Sequence, residues 1–287
     1  MKLKKGPMVG VRGCLGMHLA LLALVILIGG QAQVFAGGRK DNTPPSDAAQ
    51  SAPTNAPVTI MVAAAASLEY SYVQELIPLF KQKYPWITVE GTYDSSGKLQ
   101  TQIEEGLGAD VFMSAATRQM NALADKNLVA KESIKPLLEN KIVLIKPAGT
   151  NPPVTDFQTA PQANTIALGD PASVPAGQYA KEAFTTLGIW DAVEAKASLG
   201  TNVTEVLNWV GEGSADIGVV YATDAATTKK VEVIAEAPAG SLAQKVIYPV
   251  GMVVASTHPK EAQLFIDFLA SDEGLAIFKN YGFSPNK

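Results

Sequence analysis

Cysteine and histidine are nearly absent from this chain of 287 residues. The one cysteine, Cys14, and one of the two histidines, His18, lie near the N-terminus, so His258 is the only imidazole in the rest of the chain. A disulfide framework, a thiolate metal site and a cysteine nucleophile are therefore excluded for the body of the protein. A serine hydrolase would have only His258 to act as its general base.

Charged residues are also sparse, at 17%, whereas 47% of residues are hydrophobic, as in a globular protein. Six of the 23 basic and two of the 27 acidic residues precede Val58. The remainder therefore has 17 basic and 25 acidic residues, and a net charge of −8. A body this acidic does not bind nucleic acid by releasing counterions. Any anion has to be bound through local geometry, because the overall field repels anions.

The first 36 residues have the pattern of a secretory signal peptide. A basic start precedes an apolar run, Leu19 to Ile28, and small or aliphatic residues precede a cleavage site after Ala36. The run is shorter than the roughly 20 residues that cross a bilayer as a helix, although an uncleaved N-terminal anchor remains the alternative. Residues 37–57 are rich in Pro, Ser, Thr, Ala, Asn and Gly and predict a disordered linker. We therefore expect a periplasmic or extracytoplasmic protein that folds from about Val58.

Strand and helix patterns alternate along the rest of the chain. Val58–Ala64 is a continuous apolar run, typical of a strand covered on both faces. Large apolar side chains then recur at every fourth position from Leu68 to Tyr84, as on one face of a helix that Pro78 is expected to kink. Further strands are predicted at 87–92, 111–114, 142–146, 165–168, 217–221 and 246–255, with helices between most of them and two at the end. This order predicts an α/β fold with mainly parallel sheets and helices on both faces.

The long apolar strands at 142–146 and 246–255 favour two sheet domains joined by two hinge crossings. Residues 58–141 and 251–287 are predicted to form lobe 1, and residues 142–250 to form lobe 2.

Four residues lie at the first turn of predicted helices, directly after strands: Ser67, Ser96, Ala176 and Val203. Helix N-termini offer unpaired N–H groups and the positive end of the helix dipole, which together favour an anion. In open α/β sheets, ligands bind beyond the carboxyl ends of the strands, where such corners meet. Hydroxyls from Ser67, Ser96 and Tyr221 would add further hydrogen-bond donors. Each serine alone is typical of a simple helix cap, so it is the set that indicates an anion site.

Six motifs in order along the chain resemble those of the periplasmic molybdate-binding proteins of ABC importers. The resemblance runs from about Val58 to Phe283 and rests on the segments 64–68 (AAASL), 95–99 (SSGKL), 109–112 (ADVF), 169–177 (GDP and VPAG), 218–221 (GVVY) and 278–283 (FKNYGF). It implies a two-lobed periplasmic-binding-protein fold of type II that closes on molybdate or tungstate, with no cofactor. It also implies delivery to a membrane permease with its cytoplasmic ATPase, and we expect a monomer.

The resemblance further implies how the anion is held. Backbone N–H groups at Ser67, Ser96, Ala176 and Val203, the two serine hydroxyls and the Tyr221 phenol would bind the oxygens. The two serines would come from lobe 1 and the other three from lobe 2. Asp94 departs from the pattern, because a carboxylate stands where a small or neutral residue is expected, and Lys98 is expected to be solvated.

Other functions remain open at this stage. Sulfate makes the same hydrogen bonds as molybdate, so cavity size alone would have to reject it. A secreted hydrolase using Ser67 or Ser96 would need His258 within reach, and no Gly-x-Ser-x-Gly motif surrounds either serine. A sensory protein that binds the same anion without delivering it is not distinguished from a transport protein by the sequence.

Overall fold

A computed structural model describes residues 55–286. The predicted signal peptide and most of the predicted linker, up to residue 54, lie outside this part of the chain. Residues 55–57 are exposed and form no helix or strand. Within residues 55–286, no helix has both the length and the apolar character that a membrane span requires.

Two β-sheets organise the described residues. The first contains β1 (Val58–Ala65), β2 (Ile87–Asp94), β3 (Val111–Met113), β4 (Lys135–Asn140), β10 (Val246–Met252) and β11 (Ser284–Pro285). The second contains β5 (Ile142–Pro147), β6 (Ile166–Gly169), β7 (Ala197–Gly200), β8 (Ile217–Tyr221) and β9 (Val231–Glu236). The strand orders are β11-β4-β10-β3-β1-β2 and β7-β6-β8-β5-β9.

Helices follow most of the strands. They are α1 (Glu69–Ser71), α2 (Ile77–Lys83), α3 (Ser96–Glu104), α4 (Thr117–Asp125), α5 (Pro175–Thr186), α6 (Trp190–Glu194), α7 (Val203–Gly211), α8 (Ala222–Ala226), α9 (Pro259–Leu269) and α10 (Asp272–Asn280). A π-helical segment, Tyr72–Leu76, separates α1 from α2, and Pro78 lies in the first turn of α2. Proline has no N–H group for a bond to the preceding turn, and the π-helical segment directly before α2 interrupts the regular α-helical bonding there.

The predicted α/β fold is confirmed, but both sheets are mixed and not mainly parallel. Strand β1 is parallel to β2 and β3, and β6 is parallel to β7 and β8. The other five pairings are antiparallel, and each involves β4, β5 or β10. Parallel pairing requires a long crossover connection. Only Lys141 separates β4 from β5, so the chain passes there directly from one sheet into the other.

The second predicted boundary, at residue 250, falls inside β10. Residues 246–250 pair with β4 and β3 in the first sheet, not with strands of the second. The chain therefore returns to the first sheet between Glu236 and Val246. The apolar run continues on both sides of residue 250, so the sequence offered no signal for the position of the change.

Both faces of β1 are packed, which fixes the end of this strand. Val62 and Ala64 belong to a large apolar cluster that includes Tyr72 and Phe265. Ala63, on the opposite face, packs in a second cluster with Leu99 of α3. Alternate side chains of a strand point to opposite faces of its sheet, so burial on both sides explains the continuous apolar run. The residues that follow β1 are consequently held in place.

Candidate functional site

In the first sheet, two parallel strands end side by side and each is followed by a helical turn. Ala65 of β1 is the register partner of Asp94 of β2. Ser67 lies in the 3-10 turn Ala66–Leu68 after β1, and Ser96 is the first residue of α3 after β2. The two serines therefore lie at neighbouring corners of the same sheet edge.

The second sheet repeats this arrangement. Strands β6 and β7 end side by side, and α5 and α7 follow them. Ala176 is the second residue of α5, and Val203 is the first residue of α7. Tyr221 is the last residue of β8, which is parallel to β6.

The structure brings all five predicted residues together in one small cavity between the two sheets. Ser67, Ser96, Ala176, Val203 and Tyr221 all line it. All of them except Ser67 are at most 4% exposed. A ligand held here would be almost fully removed from water.

The two helix starts from the second sheet leave backbone donors for a ligand. The N-cap of α5, Val174, has no side chain that accepts from the first turn. The N-cap of α7, Asn202, accepts from Glu205 N at 3.0 Å, so this cap serves the third residue and not Val203. The N–H groups of a first helical turn have no partner within the helix. Ala176 and Val203 can therefore donate into the cavity.

The serine and tyrosine hydroxyls at the cavity have defined neighbours. Ser96 Oγ accepts a hydrogen bond from Ala115 N at 3.0 Å, which leaves its own hydrogen free to donate. Ser67 Oγ lies 2.9 Å from Tyr248 Oη. Tyr221 Oη donates to the carbonyl oxygen of Ala115 over a long 3.4 Å. Burial raises the pKa of Tyr221 well above its usual value, so the phenol remains a donor.

Asp94 also lines the cavity, but its charge is compensated. Lys98, four residues further along the chain, forms an ion pair with Asp94 Oδ2. The other carboxylate oxygen accepts from Ser95 N at 2.8 Å and lies 3.5 Å from Asn202 Nδ2, across the cavity. The expectation that Lys98 is merely solvated is therefore wrong. The lysine is half-exposed but paired, so the carboxylate presents little net charge to the cavity.

Direct contacts close the two halves of the protein around the cavity. Gly97 N donates to Ser173 O at 2.9 Å, and Gln119 Nε2 donates to Gln178 Oε1 at 3.0 Å. A Cβ at Gly97 would lie 2.3 Å from the carbonyl oxygen of Ser173, so no larger residue fits this approach without movement. The two halves therefore contact each other directly beside the cavity.

Two residues of the site were missed from the sequence. Ser95, the N-cap of α3, lines the cavity, is 4% exposed and has no hydrogen-bond partner for its hydroxyl among the described residues. The Ser95-Ser96 pair could have indicated it, since either serine can stand at a helix start. Tyr248 contacts Ser67 across 181 positions of sequence. No local pattern marks such a contact.

The geometry of the site does not support a serine hydrolase. His258 is the N-cap of α9 and is not among the residues that line the cavity. Across residues 55–286, no three His, Cys, Asp or Glu side chains cluster as metal ligands would. The one carboxylate that lines the cavity, Asp94, is paired with Lys98.

A two-lobed α/β fold whose sheet edges face each other across a small donor-lined cavity defines the class of solute-binding proteins. The chain belongs to the family of bacterial extracellular solute-binding proteins, which it matches over residues 60–284.

Relatives of known description support this assignment. The chain is 42% identical over 227 residues to the putative ABC transporter substrate-binding lipoprotein YvgL of Bacillus subtilis, covering 79% of this chain and 86% of that protein. It is 36% identical over 230 residues to the molybdate-binding protein ModA of Haemophilus influenzae, covering 78% and 89%. Among solved structures, the substrate-binding domain of a putative molybdenum ABC transporter from Clostridium difficile superimposes with a TM-score of 0.62 at 33% identity, over 80% of this chain and 100% of that one.

Proposed function

We propose that this protein captures molybdate or tungstate as a tetrahedral dianion and passes it to an ABC importer, made of a membrane permease and a cytoplasmic ATPase. Ser67, Ser96, Ala176, Val203 and Tyr221 are the proposed ligands. The observation that carries the proposal is the cavity wall, which offers hydroxyls and helix starts and whose one carboxylate is paired with a lysine.

The chemistry of the donors favours a fully deprotonated oxyanion. Such an ion has only acceptors, so a wall of donors can satisfy every oxygen. A protonated phosphate would direct its own O–H group at donors, a mismatch of about 1–3 kcal/mol. Hydrogen bonds to a charged group contribute about 1.5–3 kcal/mol each. Several of them, less the costs of desolvation and closure, give about 8–12 kcal/mol, or a Kd from micromolar to nanomolar.

The relatives point to the same class of ligand. Two of the three comparisons above carry molybdate or molybdenum in their names, and the identities are 36% and 33%. Four of the six sequence motifs, 64–68, 95–99, 169–177 and 218–221, contribute residues to the lining of the cavity. Tungstate is included because it has the same charge and shape as molybdate.

Sulfate is the alternative within the class. It would accept the same hydrogen bonds, so only the size of the closed cavity separates it from molybdate. An enzyme is the weaker alternative, because a serine nucleophile needs a base within hydrogen-bond reach and no imidazole lines the cavity.

The remaining parts of the proposal concern location and assembly. An extracytoplasmic protein released by cleavage after Ala36, or tethered through residues 1–57, fits the family and its lipoprotein relative. We propose that it acts as a monomer, since each chain holds both halves of the cavity.

Calorimetric titration of the mature protein with molybdate, tungstate, sulfate and phosphate tests the function. We expect micromolar or tighter binding of molybdate or tungstate, and weaker binding of sulfate and phosphate. Tight binding of sulfate with no response to molybdate would replace the proposed ligand. No binding of any of the four anions would refute an oxyanion site.

Tyr221→Phe tests the placement of the ligands. The ring and its packing remain, and only the hydroxyl with its long bond to Ala115 is lost, so the fold should be little affected. We expect molybdate affinity to fall by about tenfold or more, since one bond to a charged group is removed. Tyr72→Phe is the matched control, because the Tyr72 hydroxyl is buried against Met113 and away from the cavity.

A further inference from the structure

A chain of hydrogen bonds lies behind Ser67. Tyr248 Oη is 2.9 Å from Ser67 Oγ, and Asn140 Nδ2 donates to Tyr248 Oη at 3.2 Å. The same nitrogen donates to Thr223 Oγ1 at 2.8 Å. Asn140 ends β4, Tyr248 lies on β10 and Thr223 on α8, so the chain joins both sheets next to the crossing at Lys141. Tyr248 is fully buried.

Asn140 determines the direction of the bond that it makes to Tyr248. Its side-chain oxygen accepts from Lys141 N at 2.8 Å, which orients the amide and leaves Nδ2 as the group that faces Tyr248. Nδ2 can only donate, so the phenol oxygen accepts from it. Either hydroxyl can donate in the 2.9 Å contact between Tyr248 and Ser67, and we assign the phenol hydrogen to Ser67 Oγ. In this arrangement the serine oxygen accepts that bond, and its own hydrogen is left to point elsewhere.

We propose that Tyr248, oriented by Asn140, is a positioning residue that makes the Ser67 hydroxyl a donor to the bound oxyanion. This inference rests on the proposed function, and it adds a source of selectivity. A serine hydroxyl can normally either donate or accept. With one of its two lone pairs engaged by Tyr248, Ser67 has its hydrogen free to donate and a reduced capacity to accept from an anion that carries a proton.

The surroundings of Tyr248 keep it protonated and in place. Burial, with a further contribution from the nearby Asp224, raises its pKa well above the usual value. Its ring packs edge-on against Tyr221 at 5.5 Å and Phe283 at 5.3 Å between centroids. These ring contacts do not need the hydroxyl. Tyr248→Phe therefore removes the hydrogen bonds while retaining the packing.

A double-mutant cycle on the full mature protein tests the inference by calorimetry with molybdate. We expect Tyr248→Phe and Ser67→Ala each to weaken binding by about tenfold. Because both remove the same donor, the double variant should bind about as well as Ser67→Ala alone. Tyr72→Phe, which removes a buried phenol away from the cavity, should bind as the wild type does.

Selectivity separates positioning from a purely structural role. The ratio of the phosphate Kd to the molybdate Kd, measured by displacement where phosphate binds weakly, should fall several-fold in Tyr248→Phe, because the freed Ser67 hydroxyl can accept from the protonated anion. A loss of stability alone would weaken both anions equally, and Tm values report it independently.

The inference is overturned if Tyr248→Phe binds molybdate as tightly as the wild type does. It is also overturned if the losses in molybdate affinity multiply in the double variant, or if the ratio of the phosphate Kd to the molybdate Kd is unchanged in Tyr248→Phe. If the wild-type protein binds molybdate but the variants do not behave as expected, only the inference about Tyr248 is refuted and the proposed function is retained. Wild-type protein that binds none of the four oxyanions would overturn both.

Discussion

At the scale of single residues, the ion pair beside the cavity is the feature with the clearest consequence. Asp94 stands in the wall proposed to receive a dianion, and Lys98 neutralises it. Solvent-exposed ion pairs contribute little to stability. Here the lysine matters for a different reason, since without it a carboxylate would face the incoming anion.

We expect Lys98→Ala to weaken molybdate binding by roughly two- to fivefold, an effect limited by solvent screening. The loss should grow at low salt, because screening weakens as the Debye length increases. Adding Asp94→Ala to Lys98→Ala should restore affinity, since the unpaired carboxylate is then removed. Calorimetry at two salt concentrations measures both effects.

Lys126→Ala provides the matched control for this prediction. Lys126 is half-exposed and pairs with Glu104, at the other end of α3 from the cavity. Its loss should leave molybdate affinity unchanged. Equal effects of the two lysine substitutions would indicate a general charge effect and contradict the proposed role of Lys98.

At the scale of elements, the corners between strands and helices place the ligands, and these corners are local features. Ser67 and Ser96 could be placed from sequence because a strand pattern, a serine and a helix pattern follow one another within a few residues. Val203 had little signature of its own, yet the cap at Asn202 places it at the start of α7.

Strands β7 and β9 and the contacts of Tyr248 and Asn140 could not be predicted from the sequence. Strand β9 has only one buried residue, and β7 has one as well, so neither shows a continuous apolar run. Both lie at the edges of the second sheet, where one side has no neighbouring strand. Tyr248 and Asn140 depend on contacts between distant parts of the chain, which no window of sequence contains.

The start of α3 yields a prediction about closure. Gly97 N donates to Ser173 O, and a Cβ at this position would meet the backbone of Ser173. Gly97→Ala should therefore hinder the approach of the two halves while leaving each half folded. We expect molybdate affinity to fall by more than tenfold with little change in the Tm of the ligand-free protein.

Gly108→Ala is the control for closure, because a Cβ there would meet nothing within 4 Å. Small-angle scattering should show compaction on adding molybdate in the wild type and in Gly108→Ala, and less in Gly97→Ala. Full compaction and wild-type affinity in Gly97→Ala would show that this contact does not limit closure.

At the scale of the whole molecule, an acidic protein is proposed to bind a dianion without a cation facing it. The charge of −8 from residue 58 onward is spread over the body, whereas the proposed donors are concentrated in a buried cavity. Hydrogen bonds and helix dipoles act over a few ångströms and gain strength where water is excluded. Local geometry can thus outweigh the unfavourable overall field.

The free energy of unfolding should depend on pH through one buried acid, Asp224. Burial raises the pKa of Asp224 from 3.8 to about 7, partly offset by the bond from Tyr221 N. Between pH 4 and pH 7 the unfolded chain therefore loses this proton while the folded protein keeps it. The free energy of unfolding should fall as pH rises through this window, at most by about 1.4 kcal/mol per pH unit from this group.

Asp224→Asn removes the titration while retaining an oxygen that can accept from Tyr221 N. Urea unfolding of the ligand-free wild type and variant at pH 5, 6, 7 and 8 should show the wild type losing stability relative to the variant up to about pH 7, and a constant difference above it. A difference that stays flat from pH 5 to pH 8 would show that Asp224 keeps an ordinary pKa, and that the folded protein accommodates its charge beside Tyr221 and Tyr248.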